Sequence, residues 1–111
     1  MQIEELNSFV MLFDTYGKLL SNKQFEVMEK FLNLDLSETE LAEFSGESRQ
    51  SVHDAIAKAK KQLLTFEEKC GVLKSKIETK QQLQEVLAFL AKENLGNNQI
   101  VAKISDIIEN L

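Results

Sequence analysis

Between Ser37 and Leu64 two capped helical segments meet at a single glycine. Ser37-Glu38-Thr39-Glu40 has the form of a capping box, in which the serine oxygen accepts from the N3 amide and the N3 carboxylate reaches back to the cap amide. Ser45-Gly46-Glu47 is the turn, and Ser48 caps the segment that follows. Ala42 is small where two helices cross, Gly46 tolerates the positive φ of a sharp turn, and Val52 is an apolar anchor beneath the second helix. The pattern predicts a helix-turn-helix, whose second helix can present a polar face to the major groove of DNA.

The remainder of the chain is consistent with an all-α fold of about five or six helices. It has no proline, four glycines and few β-branched alternations, so nothing in it argues for strands. Its 111 residues, 43% of them apolar, suffice for one compact core with a helical extension. Residues 1–64 are expected to form the helix-turn-helix core and 65–111 a helical extension that serves for dimerisation. A lone cysteine cannot form an intramolecular disulfide or a multi-cysteine zinc site, which suits a reducing compartment. The opening Met-Gln-Ile-Glu-Glu-Leu is acidic where a signal peptide is basic, and no apolar run approaches the roughly 18 residues of a membrane span. The expectation is a cytoplasmic protein with no membrane contact.

Helix starts are marked by caps. Ile3, Leu6, Val10 and Phe13 fall at helical spacing and predict a first amphipathic helix closing near Tyr16-Gly17. Ser21-Asn22-Lys23-Gln24 is a capping box for a second, with Phe25, Met28, Phe31 and Leu32 as its stripe. In the third, short helix Leu41 and Phe44 are expected to point inward. After Ser48, the residues Val52, Ile56, Ala59, Leu63, Phe66, Cys70, Leu73 and Ile77 form an apolar seam in heptad register. They predict one helix from about Arg49 to Glu78, with Gly71 its weakest point. Thr79-Lys80-Gln81-Gln82 offers another capping box, and Asn94 to Asn98 breaks that helix before a final one rich in isoleucine. The seam must be buried, either on the last two helices or on a second copy.

The net charge of −5 and pI of about 4.9 argue against avid, unspecific binding to nucleic acid, whose affinity comes largely from Lys and Arg on phosphates. The distribution is uneven, however: residues 48–80 hold eight bases and four acids, the only positive block. With Val52, Ile56 and Ala59 inward, Arg49, Gln50, Ser51, His53, Asp54 and Ala57 project outward. Arg49 can bridge guanine O6 and N7, and Gln50 can do the same for adenine N6 and N7. Ser48 and Ser51 are placed to donate to phosphate, and Lys58, Lys60 and Lys61 to follow the backbone. Asp54 would repel phosphate unless it accepts from cytosine N4 or pairs with Lys58. The same face would serve equally as a solvated surface.

Catalysis, metal and cofactors are not expected. His53 has no ligand-spaced Cys, Asp or Glu beside it, and Cys70, seventeen residues on, would lie about 25 Å away along one helix. Cys70 itself reads as a small apolar seam residue. Glu38, Glu40 and Glu43 are explained by capping and by the positive end of the third helix.

Leu12-Phe13-Asp14, Leu20 to Gln24, Leu41-Ala42 and Ser48 to Ile56 together resemble the YlxM-like helix-turn-helix family, over roughly residues 10–80. The chain differs from that family's pattern at Ser45 and Glu47, where apolar residues are usual, and at His53, often a tyrosine. The resemblance implies a helix-turn-helix similar to region four of bacterial sigma factors. It also implies a regulatory DNA-binding role associated with the signal recognition particle pathway. Two readings follow: a regulator that binds double-stranded DNA as a homodimer through its C-terminal helices, or a helical adapter for protein or RNA components of the signal recognition particle machinery.

Overall fold

The computed structural model describes residues 2–111, which form six α-helices and a short 3-10 turn, with no strand among the described residues. These are α1 (Ile3–Tyr16), the 3-10 turn (Gly17–Leu19), α2 (Asn22–Asn33), α3 (Glu38–Ser45), α4 (Arg49–Cys70), α5 (Val72–Lys92) and α6 (Asn98–Glu109). They divide into two compact units, the first ending at Gly71 and the second spanning Val72–Leu111. No described helix is long and apolar enough to cross a membrane.

Local chemistry sets most of the boundaries in the first unit. Both predicted capping boxes form: the Gln24 amide donates to Ser21 Oγ at 3.2 Å and the Glu40 amide to Ser37 Oγ at 3.1 Å, each returned by the partner's side-chain oxygen. Gly46 closes α3 at φ +75°, a left-handed conformation that penalises any Cβ, and its N–H donates to the Ala42 carbonyl. Ser48 then starts α4 by accepting from the Ser51 amide at 3.0 Å.

The core of this unit lies among α1, α2, α3 and α4. Phe9, Leu12, Phe13, Tyr16, Leu20, Met28, Leu32, Leu41, Val52, Ile56, Ala59 and Leu63 are all buried. The Phe13 and Phe25 rings pack at 5.0 Å, and Tyr16 packs on Phe66 while its hydroxyl donates to Glu67. Met28, Ala59 and Leu63 retain no exposed surface. Burial of each large side chain of this kind is worth about 1.5–3 kcal/mol relative to leaving it in water.

Four expectations are corrected. The buried face of α1 is Phe9, Leu12, Phe13 and Tyr16, with Ile3 exposed and Leu6 and Val10 half-buried. Two apolar stripes overlap on this helix, and the one richer in aromatic surface faces the core because it removes more area from water. Phe44 is not inward: it is 75% exposed, with Lys30 Nζ 4.7 Å above its ring, and Leu41 alone carries the buried contact of α3. The helix expected to reach Glu78 ends at Cys70, where Gly71 adopts φ +64° and returns its N–H to the Glu67 carbonyl. A left-handed C-cap ends a helix rather than bending it. The seam therefore stops being one: Val52 to Leu63 are buried and Phe66 is half-buried, but Cys70 and Ile77 are exposed. Finally, Thr79 starts no helix. It lies inside α5 and its hydroxyl donates to the Ser75 carbonyl at 2.8 Å, a bond available to any mid-helix threonine.

In the second unit α5 and α6 join across a loop in which Asn94 takes φ +55° and Asn97 caps α6 by accepting from the Ile100 amide at 2.8 Å. Leu83, Leu87 and Leu90 on α5, and Ile104 and Ile108 on α6, are half-buried. No described residue of either helix is fully buried.

Candidate nucleic-acid interface

Burial of Val52 and Ile56, at 1% and 3% exposure, fixes the roll of α4 and with it everything the helix shows to solvent. Arg49, Gln50, His53, Asp54, Ala57, Lys58 and Lys61 are exposed, Ser48 is exposed, and Ser51 is half-buried. Ser48 is occupied as the helix cap, which leaves its own O–H as a donor. Arg49 stands in the first turn and forms no ion pair among the described residues.

Its neighbours are held. Gln50 Nε2 donates to Asp54 Oδ1 at 2.9 Å, so the partner of Asp54 is the glutamine one turn before it rather than Lys58 one turn after. That bond consumes one amide N–H. The second N–H and the carbonyl oxygen stay available, and these are the donor and acceptor that adenine N7 and N6 require. His53 Nδ1 lies 2.9 Å and 3.1 Å from the two carboxylate oxygens of Glu38, tying the first turn of α3 to α4. Arg49, Gln50, His53 and Glu38 line one shallow depression.

A second groove, of about 530 Å³, brings α4 against the start of α2. Ser48, Gln50, Ser51, Asp54 and Lys58 line it from α4, and Ser21, Lys23 and Gln24 from the capping box of α2. The α2 residues were read from the sequence only as cap chemistry; a lysine inside a capping box was the available signal. Lys23 Nζ also reaches Glu47 Oε1 at 2.6 Å, so the acidic residue of the turn is paired rather than left facing the groove. Lys58 and Lys61 extend the basic edge, whereas Lys60 is turned back over the rings of Phe9 (5.3 Å) and Phe31 (5.4 Å) and does not join it.

The depression and the groove together form a donor-rich, partly paired surface on one helix of a two-helix corner. Its donors suit phosphate oxygens and base edges. Among the described residues no cluster of three or more His, Cys, Asp or Glu is gathered to hold a metal ion.

The chain is similar to bacterial proteins over nearly its whole length. It is 38% identical to a UPF0122 protein of Clostridium perfringens over 96 residues, 86% of this chain and 85% of that protein. It is 32% identical to one from Clostridium botulinum over 109 residues, covering 98% and 100% of the two chains. A relative from Acetivibrio thermocellus is 35% identical over 108 residues, 96% and 92% of the respective chains. The family profile described as "UPF0122: Putative helix-turn-helix protein, YlxM / p13 like" matches residues 3–107. The chain therefore belongs to the UPF0122 family of YlxM / p13-like helix-turn-helix proteins.

Proposed function

We propose that this protein is a cytoplasmic regulator that binds double-stranded DNA with the exposed face of α4, acting as a homodimer and serving the signal recognition particle pathway. The observation that carries the DNA reading is the opposition on α4: Val52 and Ile56 are buried while Arg49 and Gln50, in its first turn, are exposed. Arg49 reads guanine and Gln50 adenine, with Asp54 orienting the Gln50 amide. Ser48 and Ser51 donate to phosphate, Lys58 and Lys61 follow the backbone, and His53 braces α3 through Glu38. A single recognition helix reads only a few base pairs, so two copies on paired half-sites supply the missing affinity and specificity.

The test is a salt titration of binding to random and selected duplexes. Affinity that falls steeply with salt, through release of counterions, supports the reading. No binding at low salt overturns it.

A second reading is favoured by one observation. The first unit carries the entire charge of −5, which opposes a polyanion except at the α4 face. On this reading the helix-turn-helix is a scaffold, and the protein is a helical adapter for protein or RNA components of the targeting machinery. Copurification of such a component by a protein that fails the salt titration supports it.

A further inference from the structure

We infer that the α2–α3 face of the first unit is a docking surface for a polypeptide, and that the segment it takes is amphipathic and basic, with a large apolar side chain seated between the two helices and an arginine beside it. The inference does not rest on the DNA reading, because the residues lining this face share only Lys23 with the α4 groove and none with the depression around Arg49.

The face is built around Phe44. Apolar residues exposed singly need no account, but Phe44 is not single. It is 75% exposed, and the half-buried Val27 and Leu36 flank it, one in each of two depressions that share its ring. The first depression is a cleft of about 210 Å³ between α2 and α3, whose apolar lining is Val27, Leu41, Phe44 and Val52. It is smaller than the roughly 300–1,000 Å³ of a small-molecule site and suits one anchoring side chain of a larger partner. The second is lined by Leu36, Phe44 and the carboxylates of Glu40 and Glu43, one helical turn apart. Lys30 covers one face of the Phe44 ring, and the ring's exposure leaves the other open. An open aromatic face beside two carboxylates suits a guanidinium, which stacks on the one and bonds to the others.

Charge selects the occupant. Glu26, Glu40, Glu43 and Glu47 line the face against Lys23 and Lys30. Both lysines are engaged, Lys23 on Glu47 at 2.6 Å and Lys30 over Phe44. Glu26 and Glu43 form no ion pair among the described residues, and Glu40 spends one oxygen on the Ser37 amide. The uncompensated charge is therefore negative, and it lies in the most acidic stretch of the chain, residues 1–47, with ten acids against three bases. Such a field repels phosphate, which sets this face apart from the α4 groove, and it attracts and orients a cationic segment.

The experiment is selection of random peptides on the full chain, followed by removal of those that also bind Phe44→Ala. Peptides are expected to survive the subtraction, to carry arginine near a large apolar residue, and to bind the native chain at least about tenfold more tightly than Phe44→Ala, as the loss of an anchoring contact requires. In anisotropy titrations Glu26→Gln with Glu43→Gln is expected to weaken them about fivefold, with an affinity that falls as salt rises. Arg49→Ala is expected to leave them bound. All four positions are exposed, so the thermal transition of Tyr16, the only tyrosine in a chain without tryptophan, is expected to stay in place. If Phe44→Ala lowers that transition, the carboxylate pair carries the subtraction instead. No survivor, survivors that are acidic or uncharged, or survivors indifferent to the carboxylate pair overturn the inference. So does a mass above 12.7 kDa in sedimentation equilibrium that falls to 12.7 kDa in Phe44→Ala, which puts a second copy on the face. A random duplex that Phe44→Ala releases puts nucleic acid there and overturns it as well.

Discussion

The two units are built from similar helices and reach opposite outcomes. The first packs four helices around twelve buried apolar side chains, and the second pairs two helices of 21 and 12 residues without burying one. The difference does not lie in hydrophobic content, because α6 alone places Ile100, Val101, Ile104, Ile107 and Ile108 on one side. It lies in geometry. Enclosing a side chain takes neighbours on several sides, and two helices offer each other only one seam. Stability in the first unit is thus a property of the single chain, whereas the apolar rows of the second depend on what covers them.

The sharpest way to break this contrast is a cavity in each unit. Leu63→Ala, at a site with no exposed surface, is expected to cost about 2–5 kcal/mol in the denaturant transition followed by Tyr16 fluorescence. Leu87→Ala, at a half-buried α5 position, is expected to leave that transition within about 0.5 kcal/mol. Equal losses would mean that the units are not separable in energy.

The boundary itself can be tested next. Gly71→Ala meets no atom within 4 Å but must hold φ +64°, so about 1–2 kcal/mol is expected to be lost from the break between α4 and α5. Circular dichroism should show helicity preserved or raised as the junction turns helical; a fall would mean that the break is held by more than glycine. Ser37→Ala removes the oxygen that caps α3 and is expected to cost about 1 kcal/mol in the same Tyr16 transition. A smaller loss than for Ser37→Ala is expected from Lys23→Ala, whose partly exposed ion pair with Glu47 contributes about 0–1 kcal/mol. For the interface, Arg49→Ala is expected to leave the melting temperature unchanged and to weaken a duplex containing guanine at the contacted position by about 1–3 kcal/mol. A variant that unfolds instead would show Arg49 to be structural.

What could be read in advance followed the range of the interaction. Ser21, Ser37 and Ser48 announce three helix starts because a cap is decided within four residues. The exposure of Arg49, Gln50 and His53 was legible once Val52 and Ile56 were taken as anchors, since a helix has one free rotation and two buried residues remove it. Other features had no local signature. Lys23 and Glu47, and Glu38 and His53, are distant in sequence and meet only because α2, α3 and α4 converge. The Thr79 box was false because the same residues satisfy a mid-helix bond equally well.

By itself, then, the sequence determined the helical class, the caps of α2, α3 and α4, the left-handed turn at Gly46 and the polar face of α4. All of these depend on contacts within one or two turns of chain. Only the tertiary structure decided which of two overlapping stripes on α1 faces inward, that Phe44 lies outside beneath Lys30, and that the heptad seam is cut at Gly71. Those outcomes compare burial in competing arrangements of whole helices, and a local pattern that fits two arrangements cannot choose between them.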